Sequence, residues 1–311
     1  MAIQVIKYSP KYYDSWNEFV LNAVNGTFLF HRDFMEYHKD RFEDYSLLVL
    51  SNEKIVAVFP ANIRDNTVFS HQGLTYGGLI VHEFLAENFF LYLNSIKVKL
   101  KKDNHKSLVI KQMPAPYNQE IATHVDEEAN YKAVKQEANM QVNLNSFTIS
   151  KSKLKHYRKG QKHDFTIVEN DDLAPFWHQI LVPLLTEKYD AAPVHSLEEI
   201  NFLKAHFPHN ILQYSLFYQG EIIAGITLFI ANNRIVKSQY GATSPLGKKL
   251  RAMDFLFIEL LNKYKQLGFA YFDMGTATDD SFEGGINLGL MNQKKELGCE
   301  VFAQNTYEFF L

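Results

Sequence analysis

The sequence predicts an α/β protein built from two similar halves, each a mixed, mostly antiparallel sheet flanked by helices. Three observations carry this: two tryptophans at matching places, two matching strand meanders, and a glycine-containing loop leading to a helix and a strand in each half. With 311 residues, 46% of them hydrophobic, the chain is long enough to bury two cores.

The tryptophans come first along the chain. Trp16 lies in IKYSPKYYDSWNEFVL and Trp177 in IVENDDLAPFWHQILV. In both, a short strand pattern (Ile3 and Val5; Phe165 and Ile167) passes through a polar turn into apolar residues at helical spacing. The meanders follow. YSLLVLSNEKIVAVFPANIRDNTVFS, from Tyr45, faces YSLFYQGEIIAGITLFIANNRIVKS, from Tyr214, and each reads strand, turn, strand, turn, strand. The turns are Ser51-Asn52-Glu53 and Arg64-Asp65-Asn66 in the first, Gln219-Gly220 and Asn232-Asn233 in the second. The offset between halves grows from 161 at the tryptophans to 167 at Ile55 and Ile222, which places a short insertion between Asp190 and Pro208.

After each meander comes the glycine loop, then a helix, then a strand. These are GLTYGG, Phe84–Lys101 and SLVIKQM in the first half; YGATSPLG, Leu250–Leu267 and FAYFDMG in the second, with Gly268 placed to end the helix. The order is β-α-α-β-β-β-α-β-α-β twice, and the expected domains are 1–145 and 146–311.

Composition narrows the function. A formal net charge of −3 gives no global basic field, so DNA is not an expected partner and any basic site must be local. Cys299 is the only cysteine, which excludes an internal disulfide and a cysteine-based zinc site and fits a reducing cytoplasm. MAIQVIKYSP lacks the pattern of a signal peptide, and no apolar run approaches the roughly 18 residues of a membrane span. A cytoplasmic protein without a transmembrane segment is expected. No metal is expected either, because no metal-ligand or nucleophile-triad pattern occurs.

The element order resembles the layout of the Gcn5-related N-acetyltransferases (GNAT). As a tandem pair it resembles the Fem family of peptidoglycan-bridge aminoacyltransferases and the FemAB-like and cellulose-biosynthesis-type acyltransferases. SHQGLTYGGLIV (Ser70–Val81) is similar to the family's first-half YGG segment. FDMG (Phe272–Gly275) is similar to its aspartate-ended strand, and GLMNQKKELG (Gly289–Gly298) to its lysine-bearing helix. Two features depart: Gln293 stands where the family has Phe before the lysine, and no heptad run supplies the long coiled-coil arm. They point away from tRNA and toward the compact acyltransferase relatives.

The resemblance places Lys294 at the family's lysine, thought to offset negative charge on an acyl carbonyl or a substrate phosphate. A fixed cation aimed at a developing oxyanion is a large term in acyl transfer; a lysine near a helix C-terminus is also favoured by the macrodipole alone, and Lys295 meets that description equally. Asp273 ends a strand and either orients or deprotonates an amine, or caps the following turn.

SKSKLKHYRKGQKHD (Ser150–Asp164) carries six Lys/Arg and no acid before its last residue. On a helix, Lys151, Lys155, Arg158, Lys159 and Lys162 share one face while Leu154 and Tyr157 point inward. Like charges at this spacing repel, so Lys155, Arg158 and Lys159 are candidates for binding phosphates of a nucleotide-linked substrate, coenzyme A or tRNA; a solvated helix is the plainer alternative. His71 with Tyr76, and Tyr240 with Arg251 around the second glycine loop, are further substrate-binding candidates. That loop lacks the Gln/Arg-x-x-Gly-x-Gly/Ala pattern that holds coenzyme A pyrophosphate in ordinary GNAT enzymes, so acyl-coenzyme A is allowed but not signalled.

The expected activity is transfer of an acyl or aminoacyl group to an amine of a cell-envelope precursor: an amino sugar, polysaccharide or peptidoglycan intermediate. The alternatives are Fem-type transfer from aminoacyl-tRNA and a catalytically silent pair that binds a phosphorylated glycan.

Overall fold

A computed structural model describes residues 3–118 and 131–311. The chain divides into two compact units, Met1–Glu137 with Phe302–Leu311, and Ala138–Val301. The division thus differs from the expected 145/146. Both boundaries fall inside continuous strands, which no turn signal marks, and the end of the chain returns to the first unit.

The first unit runs β1 (Ile3–Lys7), α1 (Tyr13–Asn22), α2 (Arg32–Glu36), β2 (Glu43–Asp44), β3 (Leu47–Ser51), β4 (Lys54–Phe59), β5 (Asn62–Arg64), β6 (Thr67–Phe69), β7 (Ile80–Val81), α3 (Ala86–Lys102), β8 (Ser107–Lys111) and the start of β9 (Tyr131–Asn143). Two hairpins turn as their sequences require. Asn52-Glu53 and Asp65-Asn66 all hold positive φ, the type I′ geometry whose twist matches the flanking strands. In α3, Phe89, Leu93, Ile96 and Leu100 form the buried stripe.

The expected three-strand meander of this half is split. Strands β1, β3, β4 and β7 form one antiparallel sheet. Strand β6 instead pairs with the short β5 and, in parallel, with β8. The Asp65-Asn66 turn returns the chain along β5, and Asn62 is pinned by hydrogen bonds with Gln72, so the place beside β4 is left to β7. The helix expected between Met113 and the next strand falls on 119–130, outside the described residues.

In the second unit the end of β9 leads to α4 (Lys151–Gly160), β10 (Phe165–Asn170), α5 (Ala174–Phe176), a π-helical turn (Trp177–Leu181), α6 (Val182–Tyr189), α7 (Leu197–His206), β11 (Ile211–Tyr218), β12 (Glu221–Ile230), β13 (Ile235–Thr243), α8 (Pro245–Leu250), α9 (Ala252–Gln266), β14 (Tyr271–Thr276), α10 (Leu288–Glu296) and the start of β15 (Cys299–Phe310). Its sheet, in the order β10-β11-β12-β13-β14-β9, is antiparallel except for the β13–β14 pair. The meander is as expected, with Gln219-Gly220 as a type I′ turn. Helix α7, in the inserted region, starts with a capping box between Ser196 and Glu199.

One apolar core lies between α9 and the sheet, where Leu256, Leu260 and Tyr264 meet Ile226, Leu228, Val236 and Phe272. Trp177 begins the π turn after β10, as Trp16 lies in the first α-helix after β1, and both are buried. Phe176 packs so closely on Gly225 that a Cβ there would meet its ring at 2.3 Å, which is why β12 has no side chain at that point.

Candidate functional site

Strands β13 and β14 run parallel for three rungs, Ile235–Tyr271, Val236–Phe272 and Lys237–Asp273, and then part. Two features open them. Pairing of β13 with β12 shifts between Thr227 and Leu228, so that Gln239 is an extra residue, a bulge that bends the strand. On the other side, β14 turns toward β9 with its own register shift between Asp273 and Thr276. Ligands of sheets with parallel strands collect where such strands part at their C-terminal ends.

Charged side chains are concentrated at this opening. Asp273 is fully buried; its Oδ1 accepts from the backbone N–H of Gly275 at 2.6 Å and from Asn139 Nδ2 at 3.4 Å. Its Oδ2 faces Lys237 Nζ at 3.4 Å. Gln141, level with Asp273 on β9, donates to Asn139 Oδ1 at 2.7 Å, while its own Oε1 has no hydrogen-bond partner among the described residues. Lys294 reaches back from α10, whose start is capped by Asn287. Its Nζ donates to the carbonyls of Thr276 at 2.8 Å and Gly275 at 3.3 Å.

Burial is the largest influence on the Lys294 amine and pushes it down to about 8; Cys299 and Asp273 act against this and Lys237 with it. The Cys299 thiol, buried beneath it and donating to Met274 Sδ at 3.2 Å, is pushed up to about 12 by the same burial. Lys294 and Asp273, chosen from the sequence, are thus brought together. Lys295 is exposed, so the two lysines of α10 differ in kind.

The basic helix α4 forms, capped by Ser150, with Lys151, Lys155, Arg158 and Lys159 exposed. Lys153 does not join the stripe. It turns inward, with Nζ 2.5 Å from Asp254 Oδ1 on α9, and His156 Nδ1 lies 3.3 Å from the other oxygen. Tyr157 stacks on Phe255 and donates to Glu259 at 2.7 Å, so the helix is pinned to α9 by its inner face.

Four candidates differ from expectation or stand apart. Tyr240 is built into the core: its hydroxyl lies 2.5 Å from His195 Nδ1 and accepts from the His195 backbone N–H, and its ring meets Trp177 edge-on. A phenol held this way contacts protein and not solvent. Arg251 is exposed at the joint of α8 and α9, in left-handed backbone with φ 59°. His71 and Tyr76 belong to the first unit and are buried. His71 has φ 71° and lines a half-open cavity of about 330 Å³ with Ser70, Gln72, Lys111 and Thr306. Burial lowers its imidazole to about 4, and its Nδ1 has no hydrogen-bond partner among the described residues.

Sequence reasoning missed Lys237, Lys153, Asn139 and Gln141. Among the described residues no group of three metal-ligating side chains occurs, and no helix is long and apolar enough to cross a membrane.

Residues 149–282 match the family model described as "Acetyltransferase (GNAT) domain". The matched stretch, less than half of the chain, is similar to a GNAT domain. It includes Lys237 and Asp273 and ends before Lys294. No curated protein matches the sequence. Among solved structures, FemX is similar over 99% of this chain and 97% of its own, with 12% identity and a TM-score of 0.71. The C-terminal domain (DUF2156) of a putative lysylphosphatidylglycerol synthetase from Agrobacterium fabrum is similar over 96% and 91%, with 13% identity and a TM-score of 0.63. A tandem GNAT protein from the clavulanic acid biosynthesis pathway is similar over 99% and 98%, with 10% identity and a TM-score of 0.50. The GNAT-like α/β fold with its mixed sheet therefore extends beyond the matched domain.

Proposed function

We propose that this protein transfers an aminoacyl group directly to an amine of a cell-envelope precursor, with the opening between β13 and β14 as the reaction site. The observation that carries the reading is the buried Asp273–Lys237–Lys294 cluster at the end of the parallel pair, inside a fold shared with FemX along nearly the whole chain. The Fem-type donor, held above as an alternative, has the better support. FemX is matched over 97% of its length, so the missing coiled-coil arm does not separate this chain from Fem-type enzymes.

Direct transfer needs two reactants held in line and a charge at the reacting carbonyl more than a nucleophilic side chain. A protonated Lys294 has three N–H donors, two of them engaged by Gly275 and Thr276, which leaves one for an oxyanion. The exposed face of α4 suits a phosphate-rich donor such as tRNA or a nucleotide-linked acceptor. In the same reading the two units are tandem GNAT-like domains.

The test is transfer of a radiolabelled amino acid from aminoacyl-tRNA to a panel of nucleotide-linked amino sugars and peptides, beside thiol release from acyl-coenzyme A. Label in an amide product without thiol release supports the reading. Thiol release alone would replace the aminoacyl donor with acyl-coenzyme A. Tight binding of the nucleotide sugar with no transfer from either donor would favour the silent pair.

A further inference from the structure

Two lysines and one aspartate share the opening, and one of the lysines has no role in the reading above. Lys237 is the last residue of β13 paired with β14, opposite Asp273, and the residue is only 6% exposed. An unpaired ammonium at that depth would be costly, so the Asp273 carboxylate is its natural partner. Gly275 lies between the two cations. A Cβ on it would stand 3.6 Å from Lys237 Nζ, while its carbonyl accepts from Lys294 Nζ. Asp273 is therefore shared: it attracts Lys294 across one short turn but is held face to face by Lys237.

We infer that Lys237 is a positioning residue that occupies Asp273, so that Lys294 is not locked as a permanent cation and can pass a proton during transfer. The inference rests on the transfer reading and deepens it. When the acceptor amine adds to the acyl carbonyl, a C–N bond forms and the nitrogen becomes cationic. Protonated Lys294 gives its proton to the leaving oxygen or sulfur as the C–O or C–S bond breaks. Neutral Lys294 then takes a proton from the new nitrogen, which leaves a neutral amide, a protonated leaving group and the starting ammonium.

The surroundings of Lys294 fit a group that changes charge. The groups acting on it are Asp273, Lys237 and Cys299, together with the carbonyls of Gly275 and Thr276. Cys299 is a neutral thiol near pH 7, because its burial pushes it to about 12. Among the described residues that leaves Asp273 as the one anion acting on Lys294, and Lys237 opposes it.

The experiment is a pH titration of lysine 13Cε signals in 13C-lysine protein, with Lys294 assigned from the missing signal of Lys294→Met. Wild type should titrate near 8, because burial pushes the amine down. Lys237→Met should move the midpoint up toward the ordinary lysine value of about 10.4. Lys237→Arg should leave it low, because the charge is retained. Asp273→Asn should lower it further and supplies an independent arm if Lys237→Met does not fold. A wild-type midpoint at the ordinary value, or a midpoint unmoved by both Lys237→Met and Asp273→Asn, would overturn the inference. No substrate is needed, so failure here leaves the transfer reading standing, and failure of transfer leaves this result intact.

Discussion

Lys237 and Asp273 face each other across the last rung of the only parallel strand pair in the described second unit, Nζ to Oδ2 at 3.4 Å, both within a buried site. Breaking such a pair from one side leaves an uncompensated charge, at a cost of about 3–5 kcal/mol. Lys237→Met should lose about that much in urea unfolding. Lys237→Met with Asp273→Asn should recover part of the loss, since no charge then stays buried. A single variant with wild-type stability would show that water reaches Asp273.

The pH dependence of the first unit should report His71. Its imidazole is lowered to about 4, below its ordinary 6.5, so the unfolded chain binds the extra proton between those values. Stability should therefore fall as pH drops from 6.5 toward 4, with the full penalty present below 4. That penalty is about 3 kcal/mol. His71→Asn keeps a residue tolerant of φ 71° and removes the titration. Urea unfolding at pH 4.5 and 7 should show a smaller difference in this variant than in wild type; equal differences would mean that His71 titrates normally.

How much of this was legible in the sequence depends on how local each cause is. The hairpin turns, helix α9 and the Gly268 stop follow from nearby residues, and α9 begins and ends within two residues of the expected Leu250–Leu267. Asp273 and Lys294 were singled out because FDMG and GLMNQKKELG are short, local segments similar to those of a known family; the local pattern alone did not separate Lys294 from Lys295. Lys237 was not, because RIVKSQY reads as ordinary alternation and its partner lies 36 residues away. Lys153 hid among six basic residues. Which of them turns inward is decided by Asp254, 101 residues further on. The split of the first meander had the same origin, since β6 pairs with β8, a partner far along the chain that the local turn signal does not announce.

The exposed face of α4 should act through charge. Lys155→Ala with Arg158→Ala removes two exposed cations while Lys153, Tyr157 and their partners on α9 stay in place. Melting temperature should hardly change. If the face meets a phosphate backbone, affinity for tRNA should fall and its dependence on the logarithm of salt should flatten by about 2. Unchanged affinity and slope would return the helix to a solvated role.

Lys294 and Lys295 give the sharpest comparison, because they are adjacent, share the end of α10 and differ in burial. Any benefit from the helix terminus, about 0.3–1 kcal/mol, is common to both. Only Lys294 binds the carbonyls that follow Asp273. Lys294→Met should therefore cost some stability, about 1–3 kcal/mol, because two carbonyls lose their donor. Its main effect should be on rate. Loss of an oxyanion donor lowers kcat by about 10²–10³, and kcat/KM should fall with it if the contact forms only in the transition state. Lys295→Met should leave both kinetic constants close to wild type. Steady-state kinetics on the two variants, with urea unfolding to confirm that each is folded, separates the outcomes. A small and equal loss in both would make the lysine pair a helix end and nothing more, whereas a rise in KM at constant kcat would move Lys294 from the reacting carbonyl to substrate binding.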